Sequence, residues 1–377
     1  MELKTKGRAV GVQYVKVLRV TRQVHTSGNN LAYIAEHTWP PDLIGFSMLL
    51  TTQSMDGVTV ELPYIDRIAF LDHLEEGDII AAHSDGLIRT LYRVQSQHNF
   101  LFTTERCNSN CLMCSQPPRN RDDIAYYEDL HRQLIPMIPK DCLYLGITGG
   151  EPTLMGQSFF DLLALLRQHL PDTQVHCLTN GRTFAWPSVT EALARVDIPN
   201  LTLGIPLYSD YYAQHDYIVQ AKGAYEQTMK GLYNLARIGQ PIEIRIVLHQ
   251  LTIPRLVALS RFIYKNLPFV SHVAFMGLEH QGYTPHNIDK LWIDPAEYME
   301  ELGEAVELLS LSGIPVSIYN TQLCVLPVEL WPYSRKSISD WKNIYLRECE
   351  GCSALQECGG LFASGEKKHS RYIKRLT

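Results

Sequence analysis

Three cysteines, Cys107, Cys111 and Cys114, lie within Thr103-Thr104-Glu105-Arg106-Cys107-Asn108-Ser109-Asn110-Cys111-Leu112-Met113-Cys114, a CxxxCxxC spacing. Soft thiolates this close together suit a soft metal centre, and a 4Fe-4S cube asks for four ligands. Three local cysteines leave one iron without a protein ligand. An open coordination position is where a metal site does chemistry instead of stapling a fold. Zinc is the plainer alternative, but its sites usually show two CxxC-like pairs. A closed cluster would need a fourth cysteine, and Cys142 is the local candidate. It begins a predicted strand, where a buried thiol behaves as a small hydrophobe. The open cluster is the preferred reading.

A second constellation is Ile147-Thr148-Gly149-Gly150-Glu151-Pro152. Two glycines let a backbone come close to a ligand, and Glu151 can accept from an ammonium group. An ordinary strand-to-helix turn would use the same residues. Near the other end, Cys349-Glu350-Gly351-Cys352 is followed by Cys358-Gly359-Gly360, with Cys324 a fourth ligand across a loop. Four thiolates satisfy tetrahedral Zn²⁺ as well as a 4Fe-4S cluster, so the metal stays open between them. His215, His249, His272, His280 and His286 fall near predicted strand ends or in loops, but most such histidines are structural or solvated. No catalytic residue is assigned among them. Tyr208, Tyr211 and Tyr212 read as core and rim aromatics.

These residues need elements to hold them. From 100 to about 320, short apolar strands alternate with amphipathic helices. The strands are predicted at Phe100–Glu105, Cys142–Thr148, Gln174–Thr179, Leu201–Tyr208, Ile242–His249 and His272–Leu278. Helices are predicted near 125–138, 157–169, 187–196, 224–238, 253–266 and 295–311; the last carries Tyr298, Leu302, Ala305, Val306 and Leu309 at one-face spacing. Six βα units in series imply a parallel sheet with helices outside, open or closed, and chemistry at the carboxyl ends of its strands. Residues 1–95 read as β-rich, a small sheet or barrel, with strand-like Tyr14–Val20 and Ile79–Ala82 and a turn at Ser84-Asp85-Gly86 into Leu87–Tyr92. Ser27-Gly28-Asn29-Asn30 and Pro40-Pro41 mark loops. Residues 319–377 form a cysteine-rich segment that needs a staple, and 96–318 is the core.

With CxxxCxxC after strand one and Gly149-Gly150-Glu151-Pro152 after strand two, residues 100 to 280 resemble the radical S-adenosylmethionine (radical SAM) superfamily; Leu178-Thr179-Asn180-Gly181 ends strand three in a similar way. The resemblance implies a partial (β/α)6 barrel and a cluster whose open iron is chelated by the amino and carboxylate groups of S-adenosylmethionine. It implies reductive cleavage to a 5′-deoxyadenosyl radical that abstracts a substrate hydrogen, with the protein supplying orientation and exclusion of water. It places the methionine amino group on the backbone of Gly149, Gly150, Glu151 and Pro152, and Met113 near the adenine, where many members carry an aromatic residue. Arg245 would pair with the methionine carboxylate bidentately, or else form a salt bridge to Glu243 or Glu151. Asn180 would reach the cofactor, or only shape its turn with Gly181. The carboxyl-terminal cysteines resemble the auxiliary-cluster (SPASM or twitch) extension of peptide-modifying members. Leu361 and Phe362 stand where the fuller version carries another cysteine, which argues for one auxiliary centre. Pro206-Leu207-Tyr208-Ser209, Met276-Gly277-Leu278-Glu279 and Cys358-Gly359-Gly360-Leu361-Phe362 together resemble the C-type maturases of His-Xaa-Ser repeat peptide systems. That implies a ribosomal peptide substrate, a partner maturase, and an electron donor such as ferredoxin or flavodoxin. The rival readings are a radical SAM enzyme for a small molecule or tRNA, and a non-catalytic iron-sulfur redox protein.

Composition is compatible with this and narrows it. The 377 residues suit two or three domains, with 45% apolar and 20% charged residues. A net charge of −6 gives no support to bulk binding of nucleic acid. The basic tail Lys367, Lys368, Arg371, Lys374 and Arg375 is the local exception. No apolar window approaches a membrane span and no secretory signal is visible, so a soluble cytoplasmic protein is expected. Of nine cysteines, seven sit at metal-ligand spacings, which favours ligation in a reducing compartment.

Overall fold

The computed structural model describes residues 3–24, 28–35, 43–336 and 343–377. Ser27 and the expected Pro40-Pro41 loop lie outside them. The chain divides into two compact units. One comprises residues 1–101, 125–146 and 164–173, and the other 102–124, 147–163 and 174–377.

The first unit is built on eight strands, in the order Lys4–Lys6, Leu87–Tyr92, Ile79–Ala82, Lys16–Thr21, Leu31–Ala35, Met48–Thr51, Tyr64–Asp66 and Arg8–Val10. The two outermost strands are successive stretches of one segment, hinged at Gly7. One pairs antiparallel with Leu87–Tyr92 and the other with Tyr64–Asp66, so the sheet closes on itself. A Cβ on Gly7 would stand 2.4 Å from the Asp66 carbonyl, which is why the hinge carries no side chain. Alternate residues Leu18, Val20, Ala32, Ile34, Met48, Leu50, Ile80 and Ala82 fill the interior. The strand expected from Tyr14 begins at Lys16, and the Ser84-Asp85-Gly86 turn is present, with the Gly86 N–H donating to the His83 carbonyl at 3.0 Å.

The second sheet also has eight strands. We number them β1 (Asn99–Phe102), β2 (Tyr144–Thr148), β3 (Gln174–Leu178), β4 (Leu201–Pro206), β5 (Ile242–Leu248), β6 (His272–Gly277), β7 (Val316–Tyr319) and β8 (Ser334–Arg335). They follow one another across the sheet in chain order, and the pairings from β3 to β8 are all parallel. The helices are α1 (Ile124–Leu134), α2 (Gln157–His169), α3 (Pro187–Val196), α4 (Tyr212–Val219), α5 (Ala224–Arg237), α6 (Leu256–Asn266) and α7 (Met299–Leu311), besides a short turn of helix at Ile288–Leu291. This is the α/β half-barrel that alternating strands and helices predict. It departs from six strands because β7 and β8 extend the row, both being short for a period to declare them. Cys142 stands two residues before β2 instead of starting it, because its thiol donates to the Tyr144 carbonyl at 3.4 Å in a turn. Past β8, Asn343–Ile344 pairs antiparallel with Leu361–Phe362. Among the described residues no helix is long and apolar enough to cross a membrane.

Candidate functional site

The cysteine triad occupies the loop between β1 and α1, at the carboxyl end of β1. That loop is pinned along its length. The Asp123 carboxylate accepts from the Thr104 hydroxyl and the Glu105 N–H, each at 2.7 Å. Asn110 and Leu112 donate their N–H groups to the Val219 and Ile218 carbonyls at 3.0 Å, so the loop lies against the last turn of α4. Leu112 and Met113 are buried with Tyr208, Ile218, Val219, Ala224 and Leu291, and Cys111 packs at their edge. Beyond the triad, the Cys114 carbonyl accepts from the Tyr283 N–H at 2.9 Å, and the Leu112 carbonyl from the Asn287 amide at 2.9 Å.

At the end of β2, Gly149 and Gly150 run directly against this loop. Gly150 N–H donates to the Thr104 carbonyl and Glu151 N–H to the Arg106 carbonyl, both at 2.7 Å. A Cβ on Gly150 would stand 2.1 Å from the Arg106 carbonyl, and one on Gly149, whose φ is +155°, would stand 2.6 Å from the Thr103 hydroxyl. The glycines thus admit the triad loop at this close approach. Glu151 differs from expectation. Its carboxylate is buried and accepts from Thr153 N–H (3.1 Å), the Thr153 and Thr179 hydroxyls (2.6 Å each) and Asn180 N–H (2.7 Å). Burial pushes this carboxyl above its ordinary range, and the four donors offset that only in part. With both oxygens engaged, Glu151 ties the end of β2 to the end of β3 instead of presenting a free acceptor. Pro152, also buried, opens the turn that follows.

Asn180 is brought to the triad: its amide nitrogen lies 3.9 Å from the Cys107 sulfur and 2.5 Å from the Asn108 amide oxygen. Arg182 was not anticipated. It is buried and donates to the Asn108 carbonyl, to the Ser109 hydroxyl at 3.0 Å and to the Gln227 amide oxygen at 2.8 Å. It directly follows the strand-end Asn180-Gly181 turn, but which loop it reaches is set by the fold and not by any local pattern. Arg245 takes the salt-bridge alternative. Its guanidinium donates to Glu243 at 2.6 Å and contacts the Met276 sulfur at 2.8 Å. Glu243 also accepts from His272 at 2.8 Å, and His176 stands 3.4 Å away. Burial alone would raise the Glu243 carboxyl, but His176, His272 and the Arg245 charge outweigh it and hold it far below the usual range.

The donor set suits a soft metal centre. Burial, together with the neighbouring Glu151 carboxylate, pushes the Cys107 thiol up to about 11. Cys111 is raised by burial and by Cys114 and Cys107, and Cys114 by burial. The three therefore sense one another's charge, and taking up a metal must displace their protons. Cys324, Cys349, Cys352 and Cys358 line one small cavity with Tyr345 and Leu376. Cys324 senses Cys358 and Cys349, and Cys349 senses Cys358 and Cys352, so the four thiols that the spacing grouped are brought together. Among the described residues, no three His, Cys, Asp or Glu side chains stand in a ready-made ligating arrangement.

Fold and site thus define a parallel α/β protein with a thiol loop at the carboxyl end of its first strand. Residues 101–263 match the model of the Radical SAM superfamily. The superfamily implies a 4Fe-4S cluster and S-adenosylmethionine. GTP 3′,8-cyclase of Aliarcobacter butzleri (strain RM4018) is 24% identical over 148 residues, 38% of this chain and 44% of the cyclase. Among solved structures, Streptococcus suis SuiB bound to S-adenosylmethionine superposes with a TM-score of 0.46 at 17% identity, over 58% of this chain and 49% of SuiB. The enzyme anSMEcpe with bound AdoMet gives a TM-score of 0.45 at 18% identity, over 58% of this chain and 60% of that one. The chain thus spans about half the length of the first relatives it matches.

Proposed function

We propose that this protein is a radical SAM enzyme that modifies a ribosomally made peptide. The single observation behind the reading is the triad loop, held against the end of β2 by Gly150 and Glu151 and touching Asn180 at the end of β3. Cys107, Cys111 and Cys114 would hold a 4Fe-4S cluster, leaving one iron open to S-adenosylmethionine. The bound pair would supply reductive cleavage of the sulfonium and hence hydrogen abstraction. The chain's own work is placement and shielding. The buried Leu112–Met113 side of the loop excludes water, and Arg182 and Asn180 fix the segment between the first two cysteines. The backbone of Gly149, Gly150, Glu151 and Pro152, with Met113 and Asn180, would contact the cofactor. Arg245 would reach its carboxylate with the donors that Glu243 does not use. Segment 319–377 would hold a second centre on Cys324, Cys349, Cys352 and Cys358, and its resemblance to auxiliary-cluster extensions supports a peptide substrate.

Anaerobic reconstitution, reduction and addition of S-adenosylmethionine should yield 5′-deoxyadenosine. Cys111→Ala should abolish it, while Cys352→Ala retains uncoupled cleavage. Absence of the nucleoside from the wild-type protein would leave only an iron-sulfur redox role. Metal content separates the two readings of the second site: about eight irons per chain for two cubes, about four with one zinc otherwise. Product analysis with a His-Gly-Ser repeat peptide and with GTP separates a peptide substrate from the chemistry of the cyclase relative.

A further inference from the structure

Next to the triad loop, a second set of side chains encloses a cleft that the proposed cofactor contacts do not use. It is walled by Leu278, Glu279 and His280 after β6, by Trp292, and by Lys368 and His369 of the basic tail. Lys368 places its ammonium 5.3 Å from the centre of the Trp292 ring, and His280 meets the same ring edge-on at 4.9 Å. The indole therefore gathers the two basic side chains on one wall. The Nε2 of His280 is buried and has no hydrogen-bond partner. Leaving such a group unmatched is costly unless a ligand completes it. Lys368 is the fixed positive charge of the lining and Glu279 its acidic residue. Besides burial, the charges of Lys368 and His369 depress His280, so all three act on the same space.

Size and place restrict what the cleft would take. Its volume is about 50 Å³, enough to hold a small polar group such as a carboxylate. On one side, Tyr283, three residues past His280, donates its N–H to the Cys114 carbonyl at 2.9 Å. On the other, the cleft is lined by Gly359 and Gly360, which follow Cys358, and Gln322 donates to the Gly360 carbonyl at 2.8 Å. The cleft thus has one cysteine site on either side.

We propose that this cleft is a carboxylate-binding subsite for the substrate, with Lys368 supplying the fixed positive charge and His280 a hydrogen bond. It deepens the enzymatic reading above, and it is tested by binding rather than turnover, so that each can fail on its own. Three acetylated tetrapeptides serve as probes: Gly-Gly-Glu-Gly-amide, Gly-Gly-Gly-Gly with a free carboxyl terminus, and neutral Gly-Gly-Gln-Gly-amide. They are titrated by calorimetry into the metal-loaded protein under anaerobic conditions. At least one carboxylate peptide should bind tenfold or more tightly than the neutral one. A gain confined to the glutamate peptide assigns a side-chain carboxylate, and one confined to the free terminus assigns a chain end. Lys368→Met, at an exposed position, and His280→Phe should each remove most of the preference. Equal binding of all three peptides, or a preference that survives both substitutions, overturns the proposal.

Discussion

At Gly150 and Arg182 the candidate site depends on contacts between chain segments far apart in sequence. Alanine at 150 would drive a methyl group into the Arg106 carbonyl, 2.1 Å away. Overpacking of this kind costs about 1–3 kcal/mol, and here the strain falls on the residue next to Cys107. Gly150→Ala should therefore fold, lose about that much stability in urea titration, and retain less iron at the triad. Arg182→Lys makes a sharper test, because one ammonium cannot serve Asn108, Ser109 and Gln227 together. Leaving these acceptors unmatched should cost about 1–3 kcal/mol, with iron loss confined to the triad and metal at Cys324, Cys349, Cys352 and Cys358 unchanged. The three cysteines, the two glycines and Asn180 were legible from spacing, because ligands and tight turns demand particular residue types. Arg182 was not, since its use depends on which loop folds over the end of β3.

Among the elements, α4 carries the most weight for its length. Its last turn offers the Ile218 and Val219 carbonyls to the triad loop, and Ile218 is fully buried beneath Leu112 and Met113. Ile218→Ala should cost about 2–5 kcal/mol and loosen the triad. Ile218→Val should cost only about 0.5–1.5 kcal/mol and keep its iron, as read by denaturation and metal analysis in parallel. The six strands and six helices read from periodicity are all present, with ends shortened by a few residues. Among the missed elements are α4, of 8 residues, and β7, of 4. A helix whose buried residues are His215, Ile218 and Val219 shows no apolar stripe to read. Its place is set by the surfaces it packs against.

For the molecule as a whole, acid sensitivity follows from two histidines buried around Tyr208. Burial lowers His215 to about 4 and His249 to about 3, from an ordinary value of 6.5. Both stay neutral in the fold and take up protons near 6.5 once unfolded, so below that pH the unfolded chain binds more protons. Stability is complete above about pH 6.5 and drains as pH falls toward about 4, by up to about 1.4 kcal/mol per pH unit for each histidine. Urea titrations at about pH 7 and about pH 5 should show the drop, and His249→Asn should remove roughly half of it; an unchanged wild-type midpoint would exclude it. By itself the sequence supplied the patterns behind the proposed chemistry: CxxxCxxC, Gly149-Gly150-Glu151-Pro152 and the later cysteines are short-range patterns, written where bonding geometry dictates residue type. It also determined the alternation of strands and helices, because burial of one face imposes a period. Only the tertiary structure decided what those residues touch. It turned Glu151 into a buried tie between two strand ends, gave Arg245 to Glu243, and gathered His280, Trp292 and Lys368 around one cleft. Glu151 and Thr179 stand 28 positions apart and Trp292 and Lys368 76, while Arg245 is matched to its nearest buried partner, and no local pattern encodes the distances that fix them.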